Sequence, residues 1–204
     1  MDFKTSKRPI NFKSPAALSR PVGVFEAPGF KSWFRNSKVI DETGRPKMVF
    51  HGTPTGQDIT EFLPPCDDLP GRHPSSDLGI FFSGSADSAF TFAGRCSPSI
   101  IPVYLSIQNP YFMTWGEYRR KFAPDNSRYA EPGDIEWDNV IDRVYALRYE
   151  LERLGHDGIC VKRSTRSTDP EAESDTWVVF RPEQIKSAIG NKGSFDPHNP
   201  EITS

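Results

Sequence analysis

The sequence has few cysteines, no long apolar run and no marked excess of either charge. Three cysteines, Cys66, Cys96 and Cys160, lack C-x-x-C spacing, which indicates free thiols and a reducing compartment. No apolar stretch approaches the roughly 20 residues that span a bilayer, and the N-terminus lacks the apolar core of a signal peptide. With 25 basic and 27 acidic residues the net charge is -2, so neither a nucleic-acid nor a membrane partner is expected.

Several common binding-site motifs are also missing. The sequence contains no phosphate-binding loop G-x-x-x-x-G-K-[ST], and no G-x-G-x-x-G turn follows a strand and opens a helix. The four histidines are scattered, without metal-ligand spacing to one another or to cysteine, so no metal site is predicted. No G-x-S-x-G elbow marks a hydrolase serine. A chemical function must therefore come from other motifs.

Apolar periodicity predicts helices in several places. The clearest amphipathic pattern lies within 135–154, where apolar residues fall at 140, 144, 147, 151 and 154. A shorter helix is expected at 27–36 from the spacing of its aromatic residues, and another around 115–122. Ser85 is predicted to cap a helix that follows the apolar run at 79–82.

Strands are predicted more often than helices. The short β-branched and aromatic runs that indicate them lie at 38–40, 46–50, 79–82, 99–107, 158–161 and 177–180. These strands do not alternate regularly with helices, which favours an α+β fold. The basic, polar and proline-containing residues 1–25 predict a flexible N-terminal leader, so one domain is expected over 26–204.

Three strand-borne motifs stand out: His51-Gly52-Thr53, then Gly79-Ile80-Phe81-Phe82-Ser83, then Trp177-Val178-Val179-Phe180. With their neighbours they form five phrases, "WFRNSKVIDETGRPKMVFHGT", "LGIFFSGSADSAFTFAG", "IPVYLSIQNPY", "LGHDGICV" and "WVVFRPEQIKSAIGNKGSFDPHNPEI". In order and spacing these phrases resemble the ADP-ribosyltransferase superfamily, of the diphtheria-toxin/PARP-like H-Y-E type, in the branch of phage polyvalent proteins and bacterial effectors. The resemblance implies two small antiparallel sheets that form an NAD cleft, with peripheral helices and NAD as co-substrate.

The first motif is assigned to NAD binding by this resemblance. His51 would hydrogen-bond a ribose hydroxyl, and Gly52 would offer its backbone N–H and C=O to the nicotinamide amide, where a side chain would block the approach. Thr53 would shape the same strand end. The alternative for His51 is a structural histidine whose hydrogen bonds are all made within the protein.

The second motif supplies an aromatic side chain. By resemblance Phe82 takes the position of the family's tyrosine and stacks on the nicotinamide ring. Phenylalanine keeps the stacking face of tyrosine and lacks only its hydroxyl. Phe81 points to the opposite face of the strand and is expected in the core. The alternative places both rings in the core. Ser83 is either a polar residue of the cleft or part of the turn that caps the next helix.

The third motif departs from the family pattern. Thr176 occupies the position of the usual glutamate, which hydrogen-bonds the ribose 2′-OH. Glu173 and Asp175 lie just upstream, but on a regular strand Asp175 would point away from the Thr176 face, so a bulge would be needed to bring it there. Thr176 can orient a hydroxyl but cannot act as a base, so a carboxylate of this loop, or one from the target protein itself, would supply that role. The alternative is that this acidic loop is only a solvated connection.

The resemblance thus implies a mono-ADP-ribosyltransferase that modifies a protein side chain, as an effector or toxin in virulence. The arginine-specific toxin pattern is missing, which favours a hydroxyl acceptor, on a host protein such as ubiquitin. The chain is expected to be a monomer, in the cytoplasm or delivered to a target cytosol without a Sec-type signal peptide. Two alternatives stay open: an NAD glycohydrolase, and a non-catalytic module that binds ADP-ribose or a partner protein.

Overall fold

The computed structural model describes residues 23–54, 59–63, 74–93, 98–122, 135–164 and 173–204. Within these ranges the chain forms four α-helices, α1 (Pro28–Phe34), α2 (Ala86–Phe90), α3 (Trp115–Phe122) and α4 (Ile135–Arg153). Short 3-10 helices occupy Val24–Glu26, Pro74–Leu78 and Pro182–Gln184. The seven strands are β1 (Val49–Thr53), β2 (Ile80–Ser83), β3 (Ser99–Leu105), β4 (Pro110–Thr114), β5 (Gly158–Lys162), β6 (Thr176–Val179) and β7 (Ile185–Ser187). Most of the predicted leader, residues 1–22, lies outside the described residues.

The strands form one mixed seven-stranded sheet in the order β4-β5-β6-β2-β1-β3-β7. Only β4 and β5 are parallel to each other, and the remaining neighbours are antiparallel. The α+β class is confirmed. The prediction of two separate antiparallel sheets is not confirmed. β1 and β2 join the two halves of one sheet, β4-β5-β6-β2 and β1-β3-β7, through the bridging pair Phe50 and Ser83. This single pair defines the seam of the sheet.

The sheet must curl strongly, because a short link connects strands that are far apart in the strand order. β3 and β4 are five strand positions apart, about 24 Å in a flat sheet. From Leu105 to Pro110 the chain has five Cα steps, which reach about 17 Å. Ile107 of this link accordingly packs on the start of β5, where an added Cβ at Gly158 would lie 3.1 Å from Ile107 Cγ2.

Three hydrophobic clusters follow from this curvature. One is built from residues of strands and loops without any helix, and it includes Val49, Phe82, Val103, Trp177 and Ile185. In the second cluster, α3 and α4 pack on the half of the sheet that contains β4, β5 and β6. In the third, α1 packs against Tyr104 of β3 on the other half. The predicted apolar face of α4 is buried at Val140, Val144 and Leu151, whereas Leu154 is exposed. None of the described helices has the length and apolar character that a membrane crossing requires.

Lys186 is wholly buried in β7. It pairs with Tyr104 of β3, and its ammonium donates to Asn199 O at 2.7 Å, Glu201 O at 2.9 Å and Ser204 Oγ at 2.7 Å. Burial lowers the pKa of Lys186 below its ordinary value. The side chain therefore fastens residues 199–204 to the sheet edge.

Candidate functional site

The seam between β1 and β2 holds the first predicted site residue, His51. Beyond the Phe50–Ser83 pair the two strands are not paired. The His51 imidazole lies across this gap, and its Nδ1 is 2.9 Å from the carbonyl oxygen of Phe81. Because a carbonyl can only accept, Nδ1 carries the proton. Nε2 then keeps a lone pair that can accept a hydrogen bond from a ligand hydroxyl.

The surroundings of His51 keep it neutral. Burial lowers the pKa of His51 below the ordinary value of 6.5, and the hydrogen bond to Phe81 offsets only part of that effect. Two aromatic rings flank the imidazole, Phe62 at 4.9 Å and Phe82 at 5.6 Å between ring centroids. A neutral, oriented imidazole fits hydrogen bonding to a sugar hydroxyl better than it fits anion binding.

Gly52 is required by the packing of α2 on β1. An added Cβ at this position would lie 1.9 Å from the carbonyl oxygen of Ala89 and 3.2 Å from the amide nitrogen of Ala93. The glycine thus has a structural cause besides its predicted contact with nicotinamide. Its neighbour Thr53 ends β1 and is buried.

Phe82 is more deeply buried than a stacking residue needs to be. Its side chain is 1% exposed, and Phe62 packs on it edge-to-face at 5.4 Å. Phe81 is half-buried on the other face of β2, 6.3 Å from the ring of Tyr118. Stacking by Phe82 remains a prediction, and it would require Phe62 to move away from the ring.

Ser83 belongs to a network of hydroxyl groups at the end of β2. Its Oγ lies 2.8 Å from Ser174 Oγ, and it accepts from the Ser85 N–H at 3.4 Å. Ser85 caps α2 as predicted, since its side chain accepts from the Ser88 N–H at 3.1 Å. Ser174 also donates to Ser88 Oγ at 3.5 Å. Ser83 therefore joins the capping turn to the segment that precedes β6.

The predicted catalytic residues lie on opposite faces of the sheet. Thr176 pairs with Ser83, and Phe82 pairs with Trp177, in an unbroken register. Adjacent strand residues point to opposite faces, so Thr176 shares the face of Ser83. Asp175 lies on the face of Trp177, since its partner Lys162 lies 5.8 Å from the Trp177 ring. No bulge brings Asp175 to the Thr176 face.

Asp175 is also engaged in structural contacts. Its Oδ2 accepts from Lys162 Nζ at 2.9 Å and its Oδ1 from the Arg163 N–H at 2.8 Å. Burial raises the pKa of Asp175, but the Arg163 N–H and the Lys162 and Lys47 ammonium groups outweigh it, so the net pKa is lowered. A carboxylate held ionised in this way is a weak general base. Glu173 is exposed beside it.

The neighbouring thiol is unreactive. Cys160 is fully buried in β5, and burial raises the pKa of its thiol to about 12. The other two cysteines lie outside the described residues. Among the residues that the structure describes, no group of three histidine, cysteine or carboxylate side chains could hold a metal ion.

Three site neighbours were not found from the sequence. Phe62 covers His51 from a loop, and no periodic pattern marks it. Ser174 reaches Ser83 across 91 positions of the chain, a contact that no local motif encodes. Lys162 is the exception, because a charged residue that ends an apolar strand next to an acidic loop could have suggested the ion pair with Asp175.

A family comparison decides the assignment. A model of the family described as "ADP-Ribosyltransferase in polyvalent proteins" matches residues 41–195, which is 155 of the 204 residues. The chain belongs to this family. The match covers the His51, Phe82 and Thr176 motifs, and it confirms the resemblance of the sequence. Enzymes of the ADP-ribosyltransferase family use NAD as their substrate.

Other comparisons add little to this membership. One solved structure, described as "Crystal structure of an anti-CRISPR protein", matches with 12% identity and a TM-score of 0.29, over 65% of this chain and 88% of that one. A likeness this weak carries no argument about function. Among curated proteins there is no significant match.

Proposed function

We propose that this ADP-ribosyltransferase domain transfers a single ADP-ribose unit from NAD to a protein side chain and releases nicotinamide. The observation that carries the proposal is the neutral His51 at the open seam. Its Nδ1–H is committed to Phe81, which leaves Nε2 to accept from a ribose hydroxyl, and Gly52 follows directly in the strand. An extended ligand that contacts both His51 and Thr176 would pass through the gap between β1 and β2, because the two side chains lie on opposite faces of the sheet.

The sparse set of catalytic groups suits this reaction. Breaking the bond between nicotinamide and ribose passes through an oxocarbenium-like state, which depends on geometry and nearby dipoles more than on a strong nucleophile. Thr176 would orient the 2′-OH. The missing arginine-specific pattern favours a hydroxyl acceptor, on a host protein such as ubiquitin, as expected of an effector.

Incubation with labelled NAD and a target-cell lysate tests the proposal. Labelled protein is the expected result, whereas free labelled ADP-ribose without labelled protein would indicate a glycohydrolase. His51→Ala should abolish labelling, because it removes the acceptor for the ribose. His156→Ala is the matched control, since that imidazole follows α4, away from the seam, with its Nδ1 3.0 Å from Asn109 O. Equal labelling by both variants would contradict the role of His51.

A second candidate, a module that binds ADP-ribose or a partner without catalysis, is favoured by the state of Asp175. The Lys162 and Arg163 contacts occupy both of its carboxylate oxygens, and Thr176 cannot replace a base. Asp175→Ala and Glu173→Ala separate the two candidates. Loss of NAD cleavage in either variant identifies the carboxylate that the reaction uses, while NAD binding without cleavage in the parent chain supports the module.

A further inference from the structure

A cavity of about 420 Å³ lies far along the strands from the NAD site. Asp157 lines it just before β5, and Arg181 lines it just after β6, whereas Lys162 and Thr176 occupy the other ends of those strands. Small-molecule sites commonly have volumes of roughly 300–1,000 Å³. The cavity is thus large enough for a ligand and distinct from the seam.

Two guanidinium groups line this cavity without a carboxylate partner among the described residues. Arg181 forms no ion pair with a described residue. Arg35 makes one side-chain hydrogen bond to a described residue, from Nε to Ser32 O at 3.2 Å. No residue in the part of the chain that the structure describes occupies the terminal nitrogens of either side chain. Paired guanidinium groups bind planar or tetrahedral oxyanions through several parallel hydrogen bonds. His198 adds a third nitrogen donor or acceptor to the lining.

The backbone at Arg35 indicates that its side chain is needed. Arg35 ends α1 with φ of 50° and ψ of -119°, a conformation that normally requires glycine. Such strain persists only where the surrounding structure over-determines it, and strained residues cluster at ligand-binding and active sites. The hydrogen bond to Ser32 O does not explain it, because it uses only one of five donors.

The two carboxylates of the lining differ in their availability. Asp157 accepts from the backbone N–H groups of Gln108 at 2.7 Å and Asn109 at 2.8 Å, so both of its oxygens are occupied. Glu183 has no hydrogen bond to its carboxylate from a described residue, although its backbone carbonyl accepts from Trp33 Nε1 at 2.9 Å. Glu183 therefore contributes a carboxylate without a hydrogen-bond donor among the described residues to the same lining as the two guanidinium groups.

We propose that this cavity is a second ligand site, which binds the phosphoryl group of a small molecule between Arg35 and Arg181. The phosphoryl oxygens accept from the two guanidinium groups, and Glu183 limits the affinity for a dianion by repulsion. A mononucleotide fits both the volume and the charge. The site is independent of NAD cleavage at the seam.

Calorimetric titration with inorganic phosphate, AMP and adenosine tests the proposal on the full chain. We expect saturable binding of phosphate and AMP but not of adenosine. Arg181→Ala and Arg35→Gly should each weaken AMP binding roughly tenfold or more, because each removes charge-assisted hydrogen bonds. Glu183→Gln should tighten it. Arg35→Gly should also raise the Tm, since glycine relieves the strained backbone.

Control variants separate this site from the NAD site. Arg120→Gln removes an exposed cation on α3 and should leave AMP binding unchanged. His51→Ala should likewise bind AMP as the parent does, even where it no longer cleaves NAD. The proposal is overturned if Arg181→Ala and Arg35→Gly bind AMP as tightly as the parent. It is equally overturned if phosphate and AMP fail to saturate below about 10 mM, or if adenosine binds as well as AMP.

Discussion

At the scale of single residues, His51 ties the stability of the seam to pH. Its pKa is lowered in the folded chain from the ordinary 6.5, so the unfolded chain takes up the proton first as the pH falls. Stability from this group is complete above 6.5 and is lost as the pH drops toward the lowered value.

We therefore expect the free energy of unfolding to fall with pH below 6.5, with a slope from this group of at most about 1.4 kcal/mol per pH unit. His51→Gln keeps a hydrogen-bond donor for Phe81 O but does not titrate, so its profile should be flatter. Denaturant unfolding at several pH values measures the difference. Parallel profiles for the two chains would show that His51 is not the titrating group.

Gly52 gives a second prediction at this scale. Gly52→Ala should destabilise the chain by about 1–3 kcal/mol, because its Cβ would overlap the Ala89 carbonyl and force α2 away from β1. Gly116→Ala is the matched control: on α3 its Cβ would meet only Arg120 Nη1, at 3.6 Å, so it should be neutral or stabilising by up to about 1 kcal/mol. Chemical denaturation measures both, and equal effects would exclude the packing explanation.

At the scale of elements, the C-terminal segment is held by the buried ammonium of Lys186 together with backbone hydrogen bonds such as that from Ser187 N–H to Ile202 O at 2.8 Å. Deletion of residues 201–204 removes two of the three acceptors of Lys186 and the buried Ile202. We expect a loss of about 3–5 kcal/mol in the free energy of unfolding, since a buried charge is left poorly paired.

Lys186→Met in the deleted chain provides the control, because methionine needs no acceptors. It should restore part of the lost stability there, while in the full chain it should have a smaller effect or none. If Lys186→Met changes the free energy of unfolding equally in both chains, the stability lost on deletion does not come from the acceptors of the Lys186 ammonium.

Most elements marked by an apolar run or a periodic pattern were predictable from the sequence, including the short strands β2, β5 and β6, whereas β4 and β7 were not. The apolar repeat placed α4, and the β-branched run placed β3, each within a few residues of its ends. β4 was missed because proline is typical of a turn after the predicted 99–107 strand, whereas Pro110 opens a new strand that pairs with β5. β7 has three residues, too few for any periodic pattern, and only its neighbours in the sheet define it.

The candidate site was predictable where one short motif holds it. His51, Gly52 and Thr53 lie together in β1 because consecutive residues stay together on a strand. The relation between Thr176, Asp175 and His51 depends on the register of β6 against β2 and on the seam, which are set by packing between distant segments. For the same reason the sequence did not indicate that Phe62 covers Phe82.

At the scale of the whole molecule, the link between β3 and β4 keeps the sheet curled. Asp157, just before β5, accepts from the N–H groups of both Gln108 and Asn109. Asp157→Ala leaves these donors without an acceptor and should cost about 1–3 kcal/mol. Asp157→Asn keeps one acceptor oxygen and should cost less. Thermal and denaturant unfolding measure the loss of stability in each variant. A larger loss for Asp157→Asn than for Asp157→Ala would contradict the role of the carboxylate in the link.

The single bridging pair at the seam has a further consequence for motion. Backbone amides in the middle of each half are protected by several paired strands. Beside Phe50 and Ser83, the two halves are joined by one bridging residue pair and by the hydrogen bond from the His51 imidazole to Phe81 O. Local opening requires fewer broken interactions there than elsewhere in the sheet. Amide hydrogen exchange should thus be faster along this line than in the middle of either half of the sheet, and a dinucleotide that contacts both halves should slow it.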